Sequence, residues 1–204
     1  MDARKLIGVL LPLLLFSAAT ADAQTNPTVR IRGMIEKVDG DVLTIKSREG
    51  DVLTLHLTPD YTVGTVVRAS LADIKQGSFV GTSAIPQPDG TLKALEVHIF
   101  PESQRGTGEG FRPWDLQPGS TMTNATVTSS VNSVDGNTLT LTYKGGEKKV
   151  VVPANIPIVM NTPADRSDVK AGVPISVSNA LKLPDGTLQA SRITVGKNGV
   201  APPS

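Results

Sequence analysis

The stretch "VDGDVLTIKSREGD" (38–51) returns as "VDGNTLTLTYKGGE" (134–147), at an offset of 96 residues. A second block, "PDGTLKALEVHI" (88–99), returns at the same offset as "PDGTLQASRITV" (184–195). Two matched blocks in the same order indicate a tandem duplication. The period is too long for solenoid repeats, whose units have roughly 20 to 50 residues, so it indicates two copies of a whole domain.

Each copy has the pattern of short β-strands. Apolar and polar residues alternate through 42–46 and 53–58, which is the period of two of a half-buried strand. The Asp-Gly pairs 39–40 and 135–136 separate two strand-like runs, as in tight hairpins. The pattern predicts five strands in each copy: 29–38, 41–47, 51–58, 78–86 and 91–99, and then 126–134, 137–143, 147–152, 173–180 and 187–195.

The interval between the third and fourth strands predicts about one helical turn. "LADIKQG" (71–77) follows a serine cap and matches "RSDVKAG" (166–172) in the second copy. Three strands, a helical turn and two strands is the order of an OB-like barrel. We therefore predict an all-β fold of two tandem five-stranded OB-like barrels, at 28–100 and 125–196, with a flexible tail at 197–204. A plain antiparallel sandwich is the alternative.

The two motifs also carry a resemblance. VDG followed by a Leu-Thr strand, and PDGTL followed by an alternating strand, resemble an exported bacterial tandem β-domain family of unknown function with OB-like repeats. The resemblance covers both copies. Because its motifs belong to turns and strands, it implies a fold and no chemistry.

The N-terminus predicts export. Arg4 and Lys5 precede a short apolar run, and Ala21-Asp22-Ala23 has the form of a signal-peptide cleavage site, so residues 1–23 are predicted to be a signal peptide. The expected location is periplasmic or secreted, with no membrane span in the mature chain. The chain has no cysteine, so its core must hold without disulfides.

The connector at 101–124 is unusual for a linker. Its stretch "RGTGEGFRPWDLQPGST" (105–121) contains Phe111 and the only tryptophan of the chain, Trp114, whereas flexible linkers avoid large apolar residues. No helix pattern follows the glycines, which excludes a dinucleotide-binding loop. We expect an ordered Gly/Pro/Trp connector, either a clasp between the barrels or a ligand site. The candidate ligand-binding residues are Arg105, Glu109, Phe111, Arg112, Trp114 and Asp115.

A metal ion is the one cofactor that the sequence leaves open. His56 and His98 lie on the predicted third and fifth strands, and Glu96 shares a face with His98. Those strands run side by side in an OB barrel, so two imidazoles and a carboxylate could converge on zinc or copper. The alternative is two solvated histidines.

Other functions are disfavoured. The net charge is +1, which offers no field for nucleic acid, and the predicted second and third strands carry Tyr143 as their one aromatic. No nucleophile motif is present, so no catalytic residue is predicted. The sequence favours a non-enzymatic exported protein that binds a small ligand or an envelope protein. A periplasmic metal-handling protein is the second hypothesis, and an enzyme ranks last.

Overall fold

The computed structural model describes residues 27–133 and 136–202. The predicted signal peptide, its cleavage site at Ala23 and the turn residue Asp135 lie outside these ranges. Within them, no helix has the length and apolar character that crossing a membrane requires.

The fold is all-β, as predicted. Short 3-10 turns lie at Leu71–Asp73 and Arg166–Asp168, where helical turns were predicted. Another 3-10 turn lies in the connector at Glu102–Gln104. In the described ranges the strands are β1 Thr28–Asp39, β2 Val42–Ser47, β3 Val52–Arg68, β4 Phe79–Pro86, β5 Leu92–Ile99, β6 Gly110–Pro113, β7 Thr121–Ser133, β8 Gly136–Tyr143, β9 Gly146–Val152, β10 Ile158–Ala164, β11 Pro174–Lys182 and β12 Leu188–Val195.

Five strands form a closed ring that we call the first barrel. Its order is β12-β11-β1-β2-β3, and β12 pairs in parallel with β3 to close it. The interior is aliphatic, and Leu43, Leu55 and Val195 are fully buried in it. Alternate residues of each strand enter this core. Because the ring is closed, the first barrel is not the antiparallel sandwich that was the alternative prediction.

Another ring, which we call the second barrel, has the order β5-β4-β7-β8-β9. A short parallel pairing of Leu92 with Val150 and of Lys93 with Val151 joins β5 to β9. Its own aliphatic core contains Leu139, Leu141 and Val97.

The two barrels exchange strands. The first barrel takes β1–β3 from the first copy and β11–β12 from the second, and the second barrel takes β7–β9 from the second copy and β4–β5 from the first. This differs from barrels built separately from 28–100 and 125–196. In each ring a third strand still lies parallel to a fifth strand, as in an OB barrel, but the fifth strand belongs to the other copy.

The length of β3 explains the exchange. This strand has 17 residues and is about 55 Å long at roughly 3.3 Å per residue, which is more than one small barrel can hold. Residues 62–65 of its second half still pair with β12 of the first barrel, while residues 63–68 pair antiparallel with β10, which in turn pairs in parallel with β5. The chain therefore crosses to the second barrel on β3 and returns on β10. Neither this extension of β3 nor β10 was predicted from the sequence.

The described part of the predicted flexible tail is folded back. Lys197 and Val200 form a bridge, and the Lys197 Nζ atom lies 2.9 Å from a carboxylate oxygen of Asp168. Pro202 is buried. Residues 197–202 thus form part of the packed structure.

Candidate functional site

A cavity of about 520 Å³ lies between the outer faces of the two barrels. Alternation along the strands creates these faces. In β1, Ile31 enters the core, so Arg30 and Arg32 lie on the opposite face. In the same way Thr194 of β12 and His98 of β5 face outward and line the cavity from opposite barrels.

The connector covers one side of this cavity. Its strand β6 pairs antiparallel with β7 of the second barrel, with Arg112 opposite Met122. Directly after β6, the Trp114 N–H donates to the Ser120 carbonyl at 2.8 Å, and the Ser120 hydroxyl donates to the Trp114 carbonyl at 3.0 Å. These bonds fix the backbone that carries the Trp114 side chain.

Three guanidinium groups surround Trp114. The Cζ atom of Arg30 lies 3.9 Å from the centroid of the indole ring, that of Arg112 lies at 5.3 Å and that of Arg32 at 5.7 Å. Cations at these distances are attracted to the negative face of the ring. Trp114 therefore joins β1 of the first barrel to the connector, whose strand β6 pairs with the second barrel.

Asp115 adds an ion pair to the same junction. Its Oδ1 atom accepts a hydrogen bond from Arg32 Nη2 at 2.8 Å, and its Oδ2 atom lies 3.4 Å from Arg30 Nη1. The hydrogen bond from Arg32 lowers the pKa of the Asp115 carboxyl below its usual value. The contacts of Trp114 and Asp115 with β1 together form what we call the clasp.

Arg112 is placed differently from the other two arginines. Its Nη1 atom donates to the Gly108 carbonyl at 2.8 Å, and among the described residues no carboxylate lies within ion-pair distance of it. Burial and the charge of Arg30 both lower the pKa of the Arg112 guanidinium. The cavity thus holds a guanidinium charge that forms no ion pair with a carboxylate of the described residues.

The remaining connector candidates have separate roles. Glu109 lines the cavity and accepts a hydrogen bond from the Lys144 N–H at 2.9 Å. Arg105 lies outside the cavity lining, where it pairs with Glu102 at 2.7 Å. Phe111 is 38% exposed, with the Lys148 Nζ atom 4.4 Å from its ring centroid. Of the six predicted ligand-binding residues, the structure therefore brings Glu109, Arg112 and Trp114 to the cavity.

The structure does not bring the three predicted metal ligands together. His98 and Glu96 are buried neighbours on β5, and their Nε2 and Oε1 atoms lie 3.2 Å apart. His56 belongs to the first barrel, where β12 places Gln189 beside it. Strand exchange is the reason, because it puts β12 at the position where β5 was predicted. The described ranges contain no group of three or more His, Cys, Asp or Glu residues able to hold a metal ion.

Two site residues missed by sequence reasoning are Arg30 and Arg32. Their R-x-R spacing in "TVRIRG" was the available signal, because alternation puts both side chains on one face of a strand. Asn124 was also missed. Its Nδ2 atom donates to the Thr107 carbonyl at 2.9 Å, whereas its buried Oδ1 atom has no hydrogen-bond partner among the described residues.

Comparison of the chain with protein-family models, with curated proteins and with solved structures finds no match. The resemblance to an exported tandem β-domain family stays a prediction.

Proposed function

We propose that this chain is a non-enzymatic binding protein whose small ligand occupies the cavity between the barrels. The observation that carries the proposal is the guanidinium group of Arg112, held at the cavity wall beside Trp114 and Arg30 with no carboxylate partner among the described residues. A charge in this position gains interaction energy when a complementary ligand group approaches.

The cavity also has the dimensions of a small-molecule site. Its volume of about 520 Å³ falls within the range of about 300 to 1,000 Å³ that is common for such sites. Its walls belong to strands that are paired across both barrels, and β10 supplies Asn161 between them. We therefore regard the site as formed before the ligand arrives, which lowers the entropic cost of binding.

Export is a second part of the proposal. The basic residues, apolar run and Ala-x-Ala site at 1–23 support cleavage before Gln24 and a periplasmic or secreted location. Expression of the full chain, followed by fractionation and N-terminal sequencing, is expected to give an extracytoplasmic protein that begins at Gln24. An intact N-terminus in the cytoplasmic fraction would refute export.

The binding proposal is tested with a chemically mixed library of organic acids, amines, neutral sugars and short peptides. Trp114 is the only tryptophan, so its fluorescence reports directly on the cavity. We expect at least one class to change this fluorescence and to raise the melting temperature.

A matched pair of variants locates the binding. Ser176 lines the cavity, whereas Ser191 of β12 is exposed outside its lining. Ser176→Phe is expected to abolish both responses by filling the cavity, and Ser191→Phe is expected to preserve them. A library without any binder, or a binder insensitive to Ser176→Phe, would overturn the proposal.

A further inference from the structure

We infer that the ligand is a small hydroxylated anion, in which a carboxylate or phosphate group is attached to a sugar-like body. This inference rests on the proposed function and specifies the ligand class of the same cavity. Three features of the cavity carry it: the balance of charges on its walls, the chemistry of its neutral residues, and the position of the one tryptophan.

The charge balance favours an anion. Arg30, Arg32 and Arg112 line the cavity, and Glu109 is the carboxylate that lines it with them. Asp115 is already bound to Arg30 and Arg32 from outside the lining. The Arg112 guanidinium therefore has unused N–H groups, and its fork geometry matches the two oxygens of a carboxylate or phosphate.

The neutral residues favour hydroxyl groups on the ligand. The wall of the first barrel presents Ser176, Ser178, Asn179 and Thr194 to the cavity, and β10 adds Asn161. These side chains can both donate and accept hydrogen bonds, as sugar hydroxyls do. A purely apolar anion would leave them without partners after displacing water, which costs binding energy.

Trp114 favours a ring with an extended face. The indole side chain lines the cavity, and the Cζ atom of Arg112 lies 5.3 Å from its ring centroid. Arg30 already lies 3.9 Å over the indole ring, so we place the contact with the C–H face of a sugar ring on the part of the side chain that lines the cavity, with the charged substituent reaching Arg112. The cavity volume of about 520 Å³ accommodates one such ring with its substituent.

The test uses four probes that share one ring: glucose, glucosamine, glucuronate and glucose 6-phosphate, with inorganic phosphate as the anion without a ring. Binding to the purified protein is measured by titration calorimetry and by Trp114 fluorescence. We expect glucuronate, glucose 6-phosphate or both to bind at least tenfold more tightly than glucose, glucosamine and inorganic phosphate. Comparison of the two acids then identifies the anionic group.

Two variants connect the binding to Arg112. Arg112→Gln is expected to weaken the acid at least tenfold, whereas Arg192→Gln, at an exposed arginine on β12, is expected to leave its affinity unchanged. Arg112→Lys keeps the positive charge but loses the forked guanidinium group, so a loss of affinity between those of wild type and Arg112→Gln is expected. If Arg112→Gln does not fold, Arg112→Lys takes its place in the test.

The outcomes separate this inference from the proposed function. If glucose or glucosamine binds as tightly as the acids and Ser176→Phe abolishes that binding, the anion class is wrong and the cavity remains a binding site. If inorganic phosphate binds as tightly as glucose 6-phosphate, the hydroxylated body is wrong. If none of the probes binds while another library class does, the ligand class alone fails; if nothing in the library binds, both proposals fail.

Discussion

The two barrels have matching interiors. Leu43 in the first and Leu139 in the second correspond at the offset of 96 residues, and both are completely buried. The two PDG turns also match, because the Asp89 carboxylate accepts from the Thr91 N–H at 2.9 Å and the Asp185 carboxylate accepts from the Thr187 N–H at the same distance. The two barrels therefore share this buried core position, and the two PDG turns share the same hydrogen bond.

Their outer faces differ. At the same offset, Arg30 and Arg32 of β1 correspond to Thr126 and Thr128 of β7, and His98 of β5 corresponds to Thr194 of β12. The cavity thus has a nearly symmetric frame with chemically unequal walls.

The largest effect is expected from a disulfide that tests strand exchange. His56 of β3 is the register partner of Gln189 of β12, whereas Lys93 is the residue that corresponds to Gln189 in the first copy. Oxidation of His56→Cys/Gln189→Cys is expected to give an intramolecular cross-link and up to about 5 kcal/mol of stabilisation, because a long loop is closed.

His56→Cys/Lys93→Cys is the control for this experiment and is expected to stay reduced. The cysteine-free background makes mass spectrometry of the two variants unambiguous. Cross-linking in the control pair would show that each copy closes its own barrel.

The sequence predicted ten of the strands and the closed five-stranded ring, but not β6, β10 or the exchange, and the exchange was missed for a physical reason. Both copies carry a PDGTL hairpin with the same alternation, so either fifth strand fits beside either third strand. The choice depends on how far β3 continues before it turns. Val63 and Val66 are buried in that extension, but the stretch around Pro59 and Gly64 has the composition of a loop.

Only the part of the site that lies in the connector could be predicted, because the sequence does not show which distant elements pack together. Arg112 and Trp114 stand out because aromatic and charged residues are concentrated in a short connector. The distance of 85 residues between Arg30 and Asp115 hides their contact, since nothing local in "TVRIRG" indicates which face will meet the connector. The metal hypothesis required β3 to lie beside β5. In the structure β12 lies beside β3 at His56, so the predicted ligands are on different barrels.

The second prediction tests whether the matched cores are energetically equal. Leu43→Ala and Leu139→Ala each remove a fully buried side chain, so each is expected to cost about 2 to 5 kcal/mol of unfolding free energy. Because hydrogen-bonded strands join the barrels, both variants are expected to shift one shared transition in urea. Two separate transitions, each moved by one variant, would show that the barrels unfold independently.

The third prediction concerns the unequal walls. Trp114→Ala removes the ring under Arg30 and is expected to destabilise the protein by about 1 to 2 kcal/mol. Trp114→Phe keeps an aromatic face and is expected to cost less than half as much. Thermal unfolding followed by circular dichroism measures both, and equal losses would mean that ring stacking on Arg30 contributes nothing.

The smallest effect is expected at Asp115. Its side chain is half exposed, so Asp115→Asn is expected to cost about 0.5 kcal/mol at neutral pH. Since the pKa of this carboxyl is lowered in the folded protein, its stabilisation is present above the usual value near 3.9 and is lost as the pH falls through the lowered value.

Urea unfolding between about pH 6 and pH 2 tests the pH dependence. The stability difference between wild type and Asp115→Asn is expected to shrink as the solution becomes acidic. A difference that stays constant with pH would contradict the assigned ion pair.

The strand exchange also imposes an order on folding during synthesis. The second barrel is complete once β9 has emerged, whereas the first barrel must wait for β12, which ends at Val195. Strands β1–β3 therefore remain without their closing partners until nearly the whole chain is available. A chain with this topology therefore completes its second barrel first, and its first barrel closes only after the last strand has been made.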